Sequence, residues 1–290
     1  MSKRNPEYDF KWCPGCGDFG VVRGIELALA DRVNRLKEPI ENTVLVAGIG
    51  CSGNLVHLQE GPQPYGFHGI HGRTLPIAWG VKTSRPDLNV LVAAGDGDFL
   101  SIGGEHIGPQ AKRNLDVTVV VMDNGIYGLT KGQASPTTAL GEITPTTPYG
   151  KLEEAMRPLD LYLALGVSFV ASAVSSRPKD LAQYISQAMD HRGFSIVHVQ
   201  SPCTTYNDTY EALKGNPAKG IEPAAYPVPA DHDPGDLEAA MRLVRQKGIP
   251  VGLVYQNPNS VPLQDRLAEA RERTKVRVRD VDALLTGLHI

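Results

Sequence analysis

Four short apolar runs containing β-branched residues punctuate the chain: TVLVAGIG around Val44, NVLVAAGDG around Val90, DVTVVVMDN around Val119 and SIVHVQS around Val197. Continuously apolar strands of this kind suit a parallel sheet covered on both faces. Helical patterns lie between them. Val22, Ile25, Leu29, Val33 and Leu36 fall on one stripe at helical spacing, and further helices are predicted over residues 74–84 and 181–189. Alternating strands and helices imply right-handed crossovers and a doubly wound, mostly parallel α/β sheet, whose ligands gather beyond the carboxyl ends of the strands. After Gly215 the chain turns proline-rich (KGNPAKGIEPAAYPVPADHDPGD), with one more helix over residues 237–246. The division expected is therefore an α/β domain over residues 1–214 and a loop-rich C-terminal extension over 215–290, packing on the core or on a partner subunit. The stretch Val276 to Ile290 carries no assignable pattern.

Composition narrows the partners. A formal net charge of −3 over 290 residues gives no electrostatic reason to expect nucleic acid. MSKRNPEYDF lacks the apolar run of a secretory signal, and nowhere is there an apolar stretch of about 18 residues, so a cytoplasmic protein with no membrane association is expected. In that compartment thiols stay reduced, and four cysteines point to metal ligation or catalysis rather than to a disulfide framework.

Two strand ends carry the first candidate chemistry. NVLVAA runs into Gly95-Asp96-Gly97-Asp98, and DVTVVVM runs into Asp123-Asn124-Gly125-Ile126-Tyr127. Neighbouring parallel strands would bring both to one edge. A magnesium ion bridging two phosphates needs few protein oxygens, and Asp96, Asn124 and the Ile126 carbonyl would supply them. Glycines beside Asp96 let backbone approach a diphosphate, and a helix beginning near Gly103 would offer it N–H groups. Asp98 is a lesser competitor for the metal. Turn formation alone also accounts for such residues after strands.

Cys13 and Cys16 sit in WCPGCG; Cys51 follows the first strand and Cys203 the fourth. All four therefore fall at the same sheet edge as Asp96 and Asn124. Four thiolates suit a tetrahedral zinc or a [4Fe-4S] cluster. Zinc usually draws on two local pairs, whereas this set has one pair and two remote singles. Trp12 and Trp79 are expected to be packing residues.

Taken in order, WCPGCGDFGV, GIGCSGN, HGIHGRTLPIAWGVK, GDGD, DNGIYGLTKGQASPTT and SPCTTYND resemble the β subunit of 2-oxoacid:ferredoxin oxidoreductases, especially the 2-oxoglutarate branch, over Tyr8 to Tyr210. The resemblance implies a fold of the thiamine-diphosphate-binding type and one [4Fe-4S] cluster on Cys13, Cys16, Cys51 and Cys203. It also implies Mg2+ on Asp96, Asn124 and Ile126, with Gly50, Ser52, His71, Gly95, Gly97, Asp98, Tyr127, Gly128 and Leu129 around the cofactor. The implied reaction turns a 2-oxoacid and coenzyme A reversibly into acyl-CoA, CO2 and reduced ferredoxin. An α subunit supplies the thiamine-activating glutamate, giving an αβ heterodimer or (αβ)2, and no further ferredoxin-like cluster motif is present.

Three residues are catalytic candidates by the same resemblance. His71 or Arg73, in FHGIHGR, lies near the thiamine or the substrate carboxylate; His68 is an alternative from the same loop. Lys131 stands where pyruvate-using relatives carry glycine, and its charge would neutralise either the distal carboxylate of 2-oxoglutarate or a coenzyme A phosphate. Two other functions remain in view: a non-redox thiamine lyase or transferase with structural cysteines, and a zinc-stabilised interaction domain whose GDG is only a turn.

Overall fold

The four apolar runs form the centre of one eight-stranded sheet. The computed structural model describes residues 12–59, 63–274 and 286, so MSKRNPEYDF and, apart from Thr286, the unassigned stretch from Val276 lie outside the described residues. Strands are β1 (Thr43–Ala47), β2 (Tyr65–His68), β3 (Asn89–Gly95), β4 (Val117–Asp123), β5 (Ile126–Tyr127), β6 (Gln133–Ala134), β7 (Phe169–Val174), β8 (Phe194–Gln200), β9 (Ala225–Pro227) and β10 (Ile249–Gln256). Helices are α1 (Asp18–Arg35), α2 (Leu55–Leu58), α3 (Thr74–Ser84), α4 (Ile107–Arg113), α5 (Pro158–Ala164), α6 (Pro178–Asp190), α7 (Tyr210–Lys214), α8 (Leu237–Val244) and α9 (Leu263–Thr274).

The sheet order is β2-β1-β3-β4-β8-β7-β10-β9, with β5 and β6 forming a separate hairpin. Strands β2, β1, β3, β4, β8 and β7 are parallel, and β10 joins β7 antiparallel. A sheet of this kind hides both faces, which is why β1 and β4 are buried at every residue. One face packs Val21, Ile25 and Leu29 of α1 and Leu181 and Ile185 of α6 against Leu45, Leu91, Val120 and Phe169. The other packs Leu75 of α3, Ile107 of α4, Tyr162 of α5 and Val244 of α8 against Val46, Val92, Val119 and Ile196.

Three sequence expectations change. Helix α1 ends at Arg35, so Leu36 lies past its last turn and is exposed, while Val21 and Ala28 complete the buried stripe. Helical backbone does begin near Gly103, as a short 3-10 turn over Gly104–His106 that leads into α4, but a wide π-type turn over Gly97–Ile102 precedes it and Gly103 N is spent on Asp98 O at 3.1 Å. The segment after Gly215, expected to be loop-rich, gives β9 and β10 to the main sheet. Among the described residues no helix is long and apolar enough to cross a membrane.

Candidate active site

Parallel pairing of β3 with β4 brings Asp96 and Asn124 to one edge, where Asn124 N lies 3.5 Å from Asp96 Oδ1. The turn between them is shaped by its own side chains. Gly125 N donates to Asp123 Oδ1 and Ile126 N to Asn124 Oδ1, each at 3.0 Å, with Gly125 at a φ of +66° that favours glycine. Tyr127 then crosses back and donates from its hydroxyl to Gly97 O at 3.0 Å. Ser52, following β1, packs so close to Gly95 that a Cβ there would meet its Oγ at 3.1 Å. Gly50, at a φ of +112°, faces open space. Gly50, Ser52, Gly95, Asp96, Gly97, Asn124, Ile126 and Tyr127 therefore share one rim.

Asp96 is only 2% exposed and takes a hydrogen bond from Thr137 Oγ1 at 2.8 Å. Burial first, and the neighbouring Asp123 carboxylate second, push its carboxyl up to about 7. A buried carboxylate in that condition favours a bound cation. Burial also works against ionisation of Asp123, but hydrogen bonds and charge from His198 outweigh it and hold Asp123 low. Asn124 Oδ1, which accepts from Ile126 N, has a second lone pair, so a carboxylate and an amide oxygen of the kind magnesium takes stand at this edge.

Asp98 takes a different part. Its Oδ1 accepts from Gly72 N at 2.8 Å and Ile49 N at 3.2 Å and meets His71 Nδ1 at 2.5 Å. It clips together the loops after β1 and β2, and gives no bond to the Asn124 turn. His71, held this way, presents its ring edge to Tyr127 with centroids 6.3 Å apart. Arg73 braces the rim from outside, donating to Ile102 O at 3.0 Å and pairing with Glu105 at 3.6 Å. His68 meets His57 at 2.9 Å. Leu129 and Lys131 are exposed in the β5–β6 hairpin, and Lys131 has a φ of +84°. Trp12 is buried, whereas Trp79 is partly exposed beneath the guanidinium of Arg113.

Beside this rim lie the cysteines, all free thiols. An ideal Cβ on Gly128 would be 3.6 Å from both Cys51 Sγ and Cys203 Sγ, so the two sulfurs face one point from different strand ends. The Cys13–Cys16 loop is laced onto them: Trp12 Nε1 donates to Cys51 O at 2.8 Å, Gly17 N to Pro202 O at 3.0 Å, Thr204 Oγ1 to Pro14 O at 2.9 Å and Tyr210 OH to Gly15 O at 3.1 Å. Burial, then Asp18, pushes Cys51 up to about 12, with Cys203 and Cys13 adding to the shift. Cys16 is raised by burial, Asp18, Cys51 and Cys203. Cys16 and Cys51 thus lie in surroundings that oppose their thiolates unless a cationic centre joins them. Among the described residues no three Cys, His, Asp or Glu side chains converge closely enough for a single metal ion.

Sequence reasoning overlooked Thr137, Asp123, His198 and Tyr162, which back Asp96 from inside the sheet. The available signal was a lone histidine in the apolar strand SIVHVQS.

The thiamine pyrophosphate enzyme family, in its C-terminal TPP-binding domain, matches residues 48–199, and the family describing the C-terminal part of the pyruvate ferredoxin oxidoreductase β subunit matches 203–272. Subunit β of 2-oxoacid:ferredoxin oxidoreductase 1 from Aeropyrum pernix is 40% identical over 89% of this chain and 81% of its own length. The 2-oxoglutarate synthase subunit KorB of Archaeoglobus fulgidus is 40% identical over 71% of this chain and 76% of its own. Among solved structures, 2-oxoglutarate:ferredoxin oxidoreductase from Magnetococcus marinus, with 2-oxoglutarate, coenzyme A and succinyl-CoA bound, superposes with a TM-score of 0.84 at 38% identity, covering 98% of this chain and 94% of that one. A β subunit implies an α partner. With both halves of the rim inside the matched segment, the chain belongs to the β subunits of the 2-oxoacid:ferredoxin oxidoreductases, a thiamine-diphosphate-dependent family.

Proposed function

We propose that this chain, with its α subunit, interconverts 2-oxoglutarate plus coenzyme A and succinyl-CoA plus CO2 in the cytoplasm, passing the electrons to ferredoxin. The observation that carries the reading is the single sheet edge on which the Asp96–Asn124 rim and the Cys51–Cys203 pair meet, with Gly128 between the two sulfurs. When bound, thiamine diphosphate supplies the nucleophile and electron sink for decarboxylation, and a [4Fe-4S] cluster accepts electrons one at a time.

The chain's own residues bind and orient. Asp96, Asn124 and the Ile126 carbonyl hold magnesium; Gly95, Gly97, Gly50 and Ser52 let the diphosphate approach; Gly128 and Leu129 complete the wall. His71, locked by Asp98, would lie beside the bound cofactor, and Lys131 would anchor a substrate carboxylate or a coenzyme A phosphate. Arg73, tied to Ile102 and Glu105, supports the His71 loop rather than presenting a free guanidinium. Cys13, Cys16, Cys51 and Cys203 ligate the cluster. One local pair and two remote singles favour this over zinc, which usually draws on two local pairs. The α subunit brings the activating glutamate in an αβ or (αβ)2 assembly.

Anaerobic co-purification with the α subunit tests this reading. Brown protein with about four irons per β chain and dye reduction that depends on 2-oxoglutarate and coenzyme A, and is faster than with pyruvate, is the expected result. Colourless zinc protein, or equal rates with pyruvate, refutes respectively the cluster or the substrate.

A further inference from the structure

The hydroxyl of Thr137 sits between two buried carboxylates, 2.8 Å from Asp96 Oδ2 and 2.7 Å from Asp123 Oδ1. A hydroxyl has one proton to donate. Asp123 is already supplied from elsewhere: Gly125 N reaches its Oδ1 at 3.0 Å, and His198 Nε2 reaches its Oδ2 at 2.9 Å. His198 is held in turn by the Tyr162 hydroxyl, 3.1 Å from Nδ1. Asp123, His198 and Tyr162 are each more than nine-tenths buried. The threonine is fixed from its own loop as well, since Thr138 Oγ1 donates to Gly125 O at 2.6 Å and the buried Lys151 donates to Thr138 O at 2.9 Å. Whichever carboxylate takes the proton, the Thr137 hydroxyl occupies Asp96 Oδ2, and the oxygen of Asp96 turned towards the Asn124 turn is Oδ1.

That arrangement makes Asp96 a one-oxygen donor. Magnesium demands near-octahedral geometry and takes carboxylates one oxygen at a time, whereas calcium readily accepts both oxygens of one carboxylate. We propose that Thr137, clamped by the buried Asp123–His198–Tyr162 chain, is a positioning residue that ties off Asp96 Oδ2 and so sets the preference of the diphosphate-bridging site for magnesium over calcium. The inference rests on the proposed role of Asp96 as a magnesium ligand.

The test uses the cofactor-depleted αβ complex and titrates thiamine diphosphate calorimetrically with Mg2+ or with Ca2+. Thr137→Val is expected to weaken magnesium-dependent binding about 10- to 100-fold, as loss of an outer hydrogen bond to a metal ligand typically does. Calcium-dependent binding is expected to change by less than about threefold, narrowing the preference. Thr137→Ser, which keeps the hydroxyl, restores it. His198→Gln shifts the ratio in the same direction and adds little to Thr137→Val, because both act through one chain of bonds. Should Thr137→Val fail to assemble, Thr137→Ala carries the same expectation without the added methyl. An equal loss with both metals, or unchanged binding with magnesium, overturns the inference. A wild-type complex that binds no thiamine diphosphate with either metal sinks the functional reading, and this inference with it.

Discussion

Gly97 lies flat against the ring of Tyr127: a Cβ on the glycine would fall 2.3 Å from Cε1, and the Tyr127 hydroxyl donates to the Gly97 carbonyl at 3.0 Å. Ring and backbone lock the two halves of the rim together. Gly97→Ala is expected to cost about 1–3 kcal/mol through overpacking and to weaken thiamine diphosphate binding. Tyr127→Phe removes only one hydrogen bond, worth about 1 kcal/mol. Denaturant unfolding compares them, and an alanine variant as stable as wild type would falsify the packing argument.

Asp96 gives the cation-free chain a pH dependence of definite sign. Its carboxyl rises from 3.8 to about 7, and that of Asp18, also through burial, to about 6. Between those values the folded chain holds protons that the unfolded chain has released, so stability falls as pH rises from about 4 and levels off above about 7. Asp96→Asn removes the upper part of the slope and leaves the part due to Asp18. Urea midpoints at pH 5 and pH 7.5 decide it; a wild type more stable at the higher pH contradicts the burial argument.

Cluster loading has a proton signature. Because Cys51 is pushed up to about 12 and Cys16 is raised as well, both are thiols at neutral pH, and ligation must expel their protons. Reconstitution in weak buffer at pH 7.5 is expected to acidify the solution. Cys51→Ala and Cys203→Ala should each remain colourless, and a variant that keeps wild-type iron content removes its cysteine from the ligand set.

Lys131 separates backbone from charge. At a φ of +84° a lysine carries strain of roughly 1 kcal/mol, so Lys131→Gly should raise stability slightly. Lys131→Met leaves that strain in place and should raise the KM for 2-oxoglutarate or for coenzyme A. Steady-state kinetics with unchanged constants for both substrates would end the charge role.

The centre of the fold was open to reading because β1, β3, β4 and β8 are dominated by apolar residues, and α3 begins and ends at Thr74 and Ser84 as its periodicity predicts. Strand β10 escaped notice because Pro250, Gly252 at a φ of +149° and the bulge between Leu253 and Tyr255 break its apolar pattern. Strand β7 has the small residues Ala171, Ser172 and Ala173 at its centre, which give it little apolar weight in the sequence. At the rim, Asp96 and Asn124 announce themselves through glycine-rich strand ends. Thr137 does not, since its importance depends on which carboxylates the hairpin after β4 folds it onto, and no local spacing encodes that.

If Cys13, Cys16, Cys51 and Cys203 hold the proposed cluster, the lacing of Cys13 and Cys16 onto the Cys203 loop also sets when iron can enter during biosynthesis. The earliest sulfurs leave the ribosome long before the last, and the loop that closes around them follows β8, itself wedged between β4 and β7. Metallation must therefore wait until nearly the whole sheet has been made, and a nascent chain stalled before residue 203 has no complete nest to offer an iron donor.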